Sequence, residues 1–282
     1  MSIDSTFDLM EFVRRVLAED LGTNGDVTSA ATTPPDAELT ASINCREAIV
    51  VAGVEAAAAF FRHLDPDVTI SFLVADGDSV GAGTVLMRIA GNARSMLAAE
   101  RSALNTLQHL SGVATLTRRY VDAIAGTGAT LLDTRKTLPG LRALDKYAAR
   151  MGSAHNHRMR LDDGVLIKDN HVAVCGGVAQ AVRAAKAADT GLQVQVEVDR
   201  IEQIEPALEA GADRLLLDNM DVATLRRAVA LVARRVPLEA SGGVNLDTIR
   251  GIAETGVEYI SVGRITQSAP AVDIGLDYSF VT

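Results

Sequence analysis

Residues 193–218 read QVQVEVDRIEQIEPALEAGADRLLLD. Polar and branched apolar residues alternate over 193–198, and apolar residues recur at helical spacing over 201–210. Gly211 stands where that helix must stop, ahead of a second apolar run at 214–217. Strand, helix and strand in so short a span form a βαβ unit, whose crossover joins parallel strands. The pattern repeats on both sides. β-rich runs at 129–133, 165–168, 237–240 and 257–262 alternate with helical patterns at 178–188, 222–235 and 246–254. Asp221 and Asn245 or Asp247 occupy N-cap positions, and Gly256 marks a helix stop. A parallel sheet or barrel is predicted from residue 129 onward.

Residues 1–128 read differently. A helix at 7–19 leads into a Gly/Pro-containing connection at 22–35, then strands near 37–44 and 48–51 and a helix at 54–63. Strands at 68–73 and 84–89 are joined by DGDSVGAG, and a long helical stretch runs from 94 to about 125. This is a small α+β domain. The DGDSVGAG turn is similar to that of swinging-arm carrier domains, but no lysine stands at a neighbouring hairpin tip to carry a prosthetic group.

The end of each run in the second region is informative. These ends carry Asp133-Thr134-Arg135-Lys136, Lys168-Asp169-Asn170-His171, Glu197 and Asp199, Asp218-Asn219, Ser241-Gly242-Gly243 and Gly263. In an α/β barrel such ends converge on one face, where active sites are built. A single polar strand end merely begins a loop, whereas six in succession point to a rim. In QVQVEVD the polar residues share a face, so Glu197 points into a barrel mouth or at a helix layer that is ordinarily apolar.

Net charge over the 282 residues is −9, which argues against nucleic acid or an anionic membrane as partner. Residues 131–171 nevertheless hold eight Lys or Arg against five Asp, a local +3 that leaves −12 on the rest. A solvated basic surface and a focused anion site are both open readings, and strand-end placement favours the second. With 48% apolar residues the chain can bury a full core. No apolar run approaches the roughly 20 residues of a membrane span. The stretch MSIDSTFDLMEF is acidic where a secretory signal is basic, so a cytoplasmic location is expected. Cys45 and Cys175 provide neither a disulfide framework nor a zinc set, and both are expected in the core.

No GxGxxG after a strand, Walker A loop or GxSxG elbow occurs. His155 and His157, with His171 nearby, resemble a zinc pattern, but Arg158 beside them would repel the cation. Glu197 and Asp218 on successive strand ends could hold Mg²⁺ or ribose hydroxyls. Ser241-Gly242-Gly243, followed by a helix, offers backbone N–H groups to a phosphate. Arg forks suit carboxylates and Lys suits phosphate, so the expected ligand combines both groups. On the long helix, Arg101 and Gln108 fall near the side of Leu97 and Leu104. An arginine there needs an anionic partner, inside the chain or in a neighbouring subunit.

The runs DTRKTLPGLRALDKYA (133–148), NHR (156–158), LIKDNH (166–171), VEVD (196–199), LLLDN (215–219), SGG (241–243) and ETGVEYISVG (254–263) together resemble the quinolinate phosphoribosyltransferase family. AEDLGTNGDVT (18–28) and AERSALN (99–105) extend the resemblance over nearly the whole chain. It implies an N-terminal α/β sandwich domain, 1–128, and an incomplete α/β (TIM-like) barrel, 129–282, whose last segment returns to the first domain. The implied reaction converts quinolinate and phosphoribosyl pyrophosphate, with Mg²⁺, to nicotinate mononucleotide, pyrophosphate and CO₂ in NAD biosynthesis. Arg135, Arg158 and Lys168 would hold the quinolinate carboxylates, with His157 beside them and Arg101 arriving from the partner of a homodimer with shared sites. Lys136 would bridge substrate and phosphoribosyl groups. Glu197 and Asp218 would bind ribose and Mg²⁺, and Ser241, Gly242 and Gly263 the 5′-phosphate. Lys136, Lys168, Glu197 and Asp218 carry the catalytic assignments.

Departures from the family pattern are Ser153-Ala154 where consecutive glycines are frequent, Arg160 for a common glycine, and Arg264 and Gln267 near the last barrel strand. They bear on substrate preference and on the phosphate loop. Two alternatives remain at this point: a paralogous phosphoribosyltransferase acting on another heteroaromatic acid, and a noncatalytic barrel that senses phosphorylated metabolites.

Overall fold

Runs of β-branched and leucine residues separated by amphipathic helices produce a six-stranded all-parallel sheet in the computed structural model, which describes Ile3 and residues 6–279, with backbone alone at Ser279. Two compact units are distinguished. The first comprises 1–118, 143–153 and 268–282, and the second 119–142 and 154–267.

The first unit begins with α1 (Leu9–Leu21), α2 (Val27–Thr32), β1 (Glu38–Cys45), β2 (Ile49–Val50) and α3 (Val54–Leu64). β3 (Thr69–Phe72), β4 (Ser79–Val80), β5 (Val85–Asn92) and the long α4 (Ala93–Ala123) follow. A four-stranded antiparallel sheet has the order β12-β1-β5-β3, where β12 is Ile274–Ser279. Its core sets Val13 and Leu17 of α1 and Phe60 and Phe61 of α3 against Ile43, Leu86 and Ile89 of the sheet. Burying each such large side chain contributes about 1.5–3 kcal/mol. α2 falls inside the stretch predicted to be a connection. Asp26 caps it, its carboxylate accepting from the Thr28 and Ser29 N–H groups. α5 (Arg142–Met151), also unpredicted, contributes 143–151 to this unit, with Asp145 and Lys146 fully buried.

The second unit contains β6 (Thr130–Leu132), β7 (Val165–Ile167), α6 (Asp169–Cys175), α7 (Val178–Ala187), β8 (Val194–Val198) and α8 (Ile204–Glu209). β9 (Arg214–Asp218), α9 (Val222–Val232), β10 (Leu238–Ser241), α10 (Ile249–Ala253), β11 (Tyr259–Ser261) and α11 (Arg264–Gln267) complete it. The sheet order is β6-β11-β10-β9-β8-β7, with the first and last-placed strands unpaired to each other, so the barrel is incomplete. At the open edge a parallel bridge joins Leu132 to His155. There the His155 N–H donates to the Leu131 carbonyl at 2.9 Å, and the Asp133 N–H to the His155 carbonyl at 3.1 Å.

Strand register assigns the faces. Gln195 pairs with Arg214, Glu197 with Leu216, Ser241 with Asp218, and Glu239 with both Leu216 and Tyr259. Because neighbours in register share a face, these side chains lie together on the barrel's inner side. Val194, Val196 and Val198 alternate with them, are buried, and meet the helix layer. Asp221 caps α9 as predicted, its Oδ1 accepting from the Thr224 N–H at 2.7 Å. α10 starts later than predicted, at Ile249: the Asn245 side chain accepts from the Asp247 and Thr248 N–H groups and forms a turn before it. Cys45 is buried, but Cys175, expected in the core, is exposed at the end of α6, a helix with no buried residue.

Candidate active site

Inner-face pleating delivers Glu197, Asp218 and Ser241 to the C-terminal ends of β8, β9 and β10, and Lys168 follows β7. Lys168 Nζ lies 3.6 Å from Glu197 Oε2. Burial raises the Glu197 pKa above its ordinary 4.5; Lys168 opposes this and Asp218 adds to it. Burial raises the Asp218 pKa as well, with Asn219, Lys168 and Lys136 opposing. The four charged groups therefore act on one another across four strand ends. Two half-buried carboxylates whose ionisation burial disfavours fit a hard divalent cation, whose remaining positions water and substrate oxygens would fill.

Asn219 adopts φ 53° and donates through Nδ2 to Asp218 Oδ2 at 2.6 Å, orienting that carboxylate. A Cβ on Gly242 would lie 2.3 Å from Asn219 Oδ1 and 2.7 Å from its backbone nitrogen, and Gly242 has φ +94°. Only glycine fits there. A Cβ on Gly263 would lie 2.7 Å from Lys136 Cδ, so the lysine stem rests on that glycine. The Lys136 N–H donates to Thr134 Oγ1 at 3.0 Å, and the Lys136 carbonyl accepts from the Thr266 hydroxyl at 2.8 Å. The helix that follows the SGG turn begins at Ile249, three residues after its predicted start at 246. α11 follows Gly263 immediately.

The NHR segment is clamped from below. Asp133, fully buried, accepts from the His157 N–H at 2.8 Å and from the Asn156 side-chain amide. His157 Nδ1 accepts from the Arg158 N–H at 2.8 Å. Arg158 Nη1 donates to the Gly164 carbonyl at 2.9 Å. Burial, then the charge of Arg135, lowers the Arg158 pKa. Arg135 Nε is buried with no hydrogen-bond partner. Two guanidinium groups thus repel each other across a space that an anionic ligand would neutralise.

Of the His155, His157 and His171 set, His155 is exposed, His157 turns Nε2 toward Glu239 at 3.4 Å, and His171 Nδ1 accepts the Lys168 N–H at 2.9 Å. Among the described residues no three His, Cys, Asp or Glu side chains converge as a metal site. Arg101, on α4 in the first unit, is exposed, and Gln108 Nε2 donates to the Ile274 carbonyl at 2.6 Å. Ser153 has φ 75°, the conformation that the family's frequent glycine takes without strain. Arg160 bonds Asp162 at 3.0 Å, and Arg264 and Gln267 are exposed. Asn219, Asn156 and the buried Glu239 were missed as site residues. The one available signal was Glu239 itself, a lone carboxylate within an apolar strand.

Family models described as "Quinolinate phosphoribosyl transferase, N-terminal domain" and "C-terminal domain" match residues 26–111 and 113–277. The nicotinate-nucleotide pyrophosphorylase [carboxylating] of Mycobacterium leprae is 44% identical over 98% of this chain and 100% of its own. The chloroplastic protein of that name from Arabidopsis thaliana is 41% identical over 96% and 83%. The solved nicotinate-nucleotide pyrophosphorylase of Ehrlichia chaffeensis superposes with a TM-score of 0.93 at 39% identity, covering 97% of this chain and 100% of that one. Matched in both halves and along nearly its full length, the chain belongs to the quinolinate phosphoribosyltransferase family.

Proposed function

We propose that the rim described above catalyses the family's reaction with this chain's own residues in the following roles. The activity is quinolinate phosphoribosyltransfer with decarboxylation, a step of NAD biosynthesis. Arg135, Arg158 and Lys168 hold the pyridine dicarboxylate, with His157 beside them. The observation that carries this assignment is the unpartnered, buried Nε of Arg135 beside the charge of Arg158. Lys136 and Lys168 neutralise phosphoribosyl pyrophosphate. Ser241, Gly242 and Gly263 cradle its 5′-phosphate, where backbone N–H groups approach closely because no Cβ intervenes. Glu197 and Asp218 hold the ribose hydroxyls and Mg²⁺, which supplies charge for the departing pyrophosphate.

Little general base is needed, because the pyridine nitrogen carries its own lone pair. It attacks ribose C1 as the C1–O bond to pyrophosphate breaks, and positioning with charge complementarity supplies most of the acceleration. The positive charge of the quaternised nitrogen then stabilises the electron pair left on the adjacent ring carbon when the 2-carboxylate departs as CO₂. The ring carbon takes up a proton.

Arg101 enters a neighbouring copy's site in the proposed homodimer, a role that its exposed side chain leaves open. Larger assemblies of such dimers are compatible with shared sites. The proposed compartment is the cytoplasm. Among the described residues no helix is long and apolar enough to cross a membrane.

The decisive experiment incubates the protein with phosphoribosyl pyrophosphate, Mg²⁺ and either quinolinate or nicotinate, measuring mononucleotide and CO₂. Equal yields of both products with quinolinate alone are expected. Product from nicotinate alone would assign the chain to a paralogous reaction, and binding without product to a sensor. Arg135→Ala is expected to abolish turnover with an unchanged oligomeric mass, and a wild-type rate would remove Arg135 from the site.

A further inference from the structure

Beneath the rim the barrel interior holds a charge cluster to which the substrate assignments give no part. Glu239 on β10 is fully buried. Its Oε2 accepts from Gln195 Nε2 at 2.8 Å and lies 2.8 Å from Arg214 Nη2 and 3.4 Å from His157 Nε2. The Arg214 guanidinium lies 3.9 Å from the centroid of the Tyr259 ring. Strand register places Gln195 beside Arg214 and Glu239 beside Tyr259, so four adjacent strands contribute to one inner layer. An ionised pair withdrawn from water is costly, and similar-sized apolar residues would often fold as well or better. A barrel centre that keeps a carboxylate therefore has some use for it besides stability.

The geometry around His157 supplies that use. Its Nδ1 accepts the Arg158 N–H, and a ring nitrogen that accepts carries no proton. The proton of the neutral ring is then on Nε2, the atom turned to Glu239. Glu239 keeps a negative charge there: burial opposes its ionisation, but His157, Arg214 and the Ser261 hydroxyl together hold it below the usual carboxylate range. Asp133 fixes the backbone of the same segment from the β6 side. The NHR run thus lies between two buried carboxylates, one hydrogen-bonded to its backbone and one 3.4 Å from its imidazole Nε2, an atom with no hydrogen-bond partner.

We propose that Glu239 is a positioning residue for the pyridine dicarboxylate. It fixes the tautomer and ring plane of His157 and, through the Nδ1 to Arg158 N–H hydrogen bond, the point at which the Arg158 guanidinium meets the substrate. This rests on the assignment of Arg158 to the carboxylates, with His157 beside it. Arg214 and Gln195 hold Glu239 in place and touch no substrate.

The test compares Glu239→Gln, the double variant Glu239→Leu with Arg214→Met, and Arg158→Lys against the wild type. The double variant removes both charges without stranding either, so it is expected to remain folded. KM for quinolinate and for phosphoribosyl pyrophosphate are measured separately, with thermal unfolding of each variant. Nitrogen spectra of protein labelled with ¹⁵N at its five histidines report the imidazole tautomers. In the wild type His157 is expected to show a protonated Nε2 and a bare Nδ1. Both Glu239 variants should show a mixture of tautomers and a quinolinate KM raised roughly 10- to 100-fold, the loss that a small misplacement produces. KM for phosphoribosyl pyrophosphate should stay within about twofold. An unchanged quinolinate KM or an unchanged His157 tautomer in a folded Glu239 variant would overturn the positioning role. Equal rises in both KM values with a matching loss of stability would also overturn it, in favour of a structural part. If Arg158→Lys leaves the quinolinate KM unchanged, the failure lies in the carboxylate assignment instead.

Discussion

Single residues at this site are placed where chemistry requires them and folding does not. Burial pushes the Glu197 carboxyl above its ordinary 4.5, with Asp218 adding to the effect. A group whose folded pKa is raised contributes most to stability below its unfolded value and loses that contribution as pH rises through the folded one. Without Mg²⁺, Glu197→Gln should therefore equal the wild type in stability near pH 4 and exceed it increasingly up to pH 7. The gain should be of order 1 kcal/mol, with turnover lost. Urea unfolding in chelator at several pH values measures it, and a difference that shrinks with rising pH would contradict the burial argument. Gly242 is constrained differently. Gly242→Ala must displace Asn219, 2.3 Å from the new Cβ, and with it the orientation of Asp218. A fall of roughly 10- to 100-fold in kcat/KM for phosphoribosyl pyrophosphate is expected in steady-state kinetics, with quinolinate KM little changed. Both residues were legible in the sequence, Glu197 on the polar face of an alternating strand and Gly242 after a strand end. Asn219 also stands at a strand end, but nothing local announced its left-handed φ of 53° or its hydrogen bond to Asp218.

Elements were legible wherever their own burial pattern was regular. β8 and β9 carry the alternation or apolar run that parallel strands need, and Asp221 caps α9 through a local hydrogen bond. Short helices were not legible. α2 and α6 have six and seven residues, too few for a hydrophobic repeat to declare itself. α5 was hidden by its charges: Asp145 and Lys146 were counted in the basic segment, yet both are fully buried and Asp145 pairs with His109 Nε2 at 2.6 Å. α4 tests how propensity and packing compete. Gly112 lies in its interior, where alanine would ordinarily gain about 1 kcal/mol. A Cβ there would lie 2.1 Å from the Pro270 carbonyl oxygen, and overpacking against backbone costs about 1–3 kcal/mol. Gly112→Ala should consequently lower stability in thermal or urea unfolding. A rise of about 1 kcal/mol would mean that residues 270–271 yield freely.

At the scale of the whole molecule, the proposal that Arg101 acts in a partner's site can be tested by complementation. Arg101→Ala and Arg135→Ala are each expected to be inactive. Unfolded and refolded together in equal amounts, half of the resulting dimers would pair one chain of each kind, and each mixed dimer would hold one site with neither defect. About a quarter of wild-type activity should return. No recovery, with mixed dimers shown by mass, would place Arg101 in its own chain's site. The sequence by itself determined the repeated βα pattern, the polar strand ends and the rim of charges, because these depend on periodicities of two and 3.6 residues and on local caps. Tertiary structure alone decided which side of the pleat faces inward, that residues 143–153 belong to the first unit, and that Glu239, Arg214 and His157 meet. Those contacts join residues far apart in the chain across neighbouring strands, and no local pattern encodes a partner that only the order and register of the sheet bring into reach.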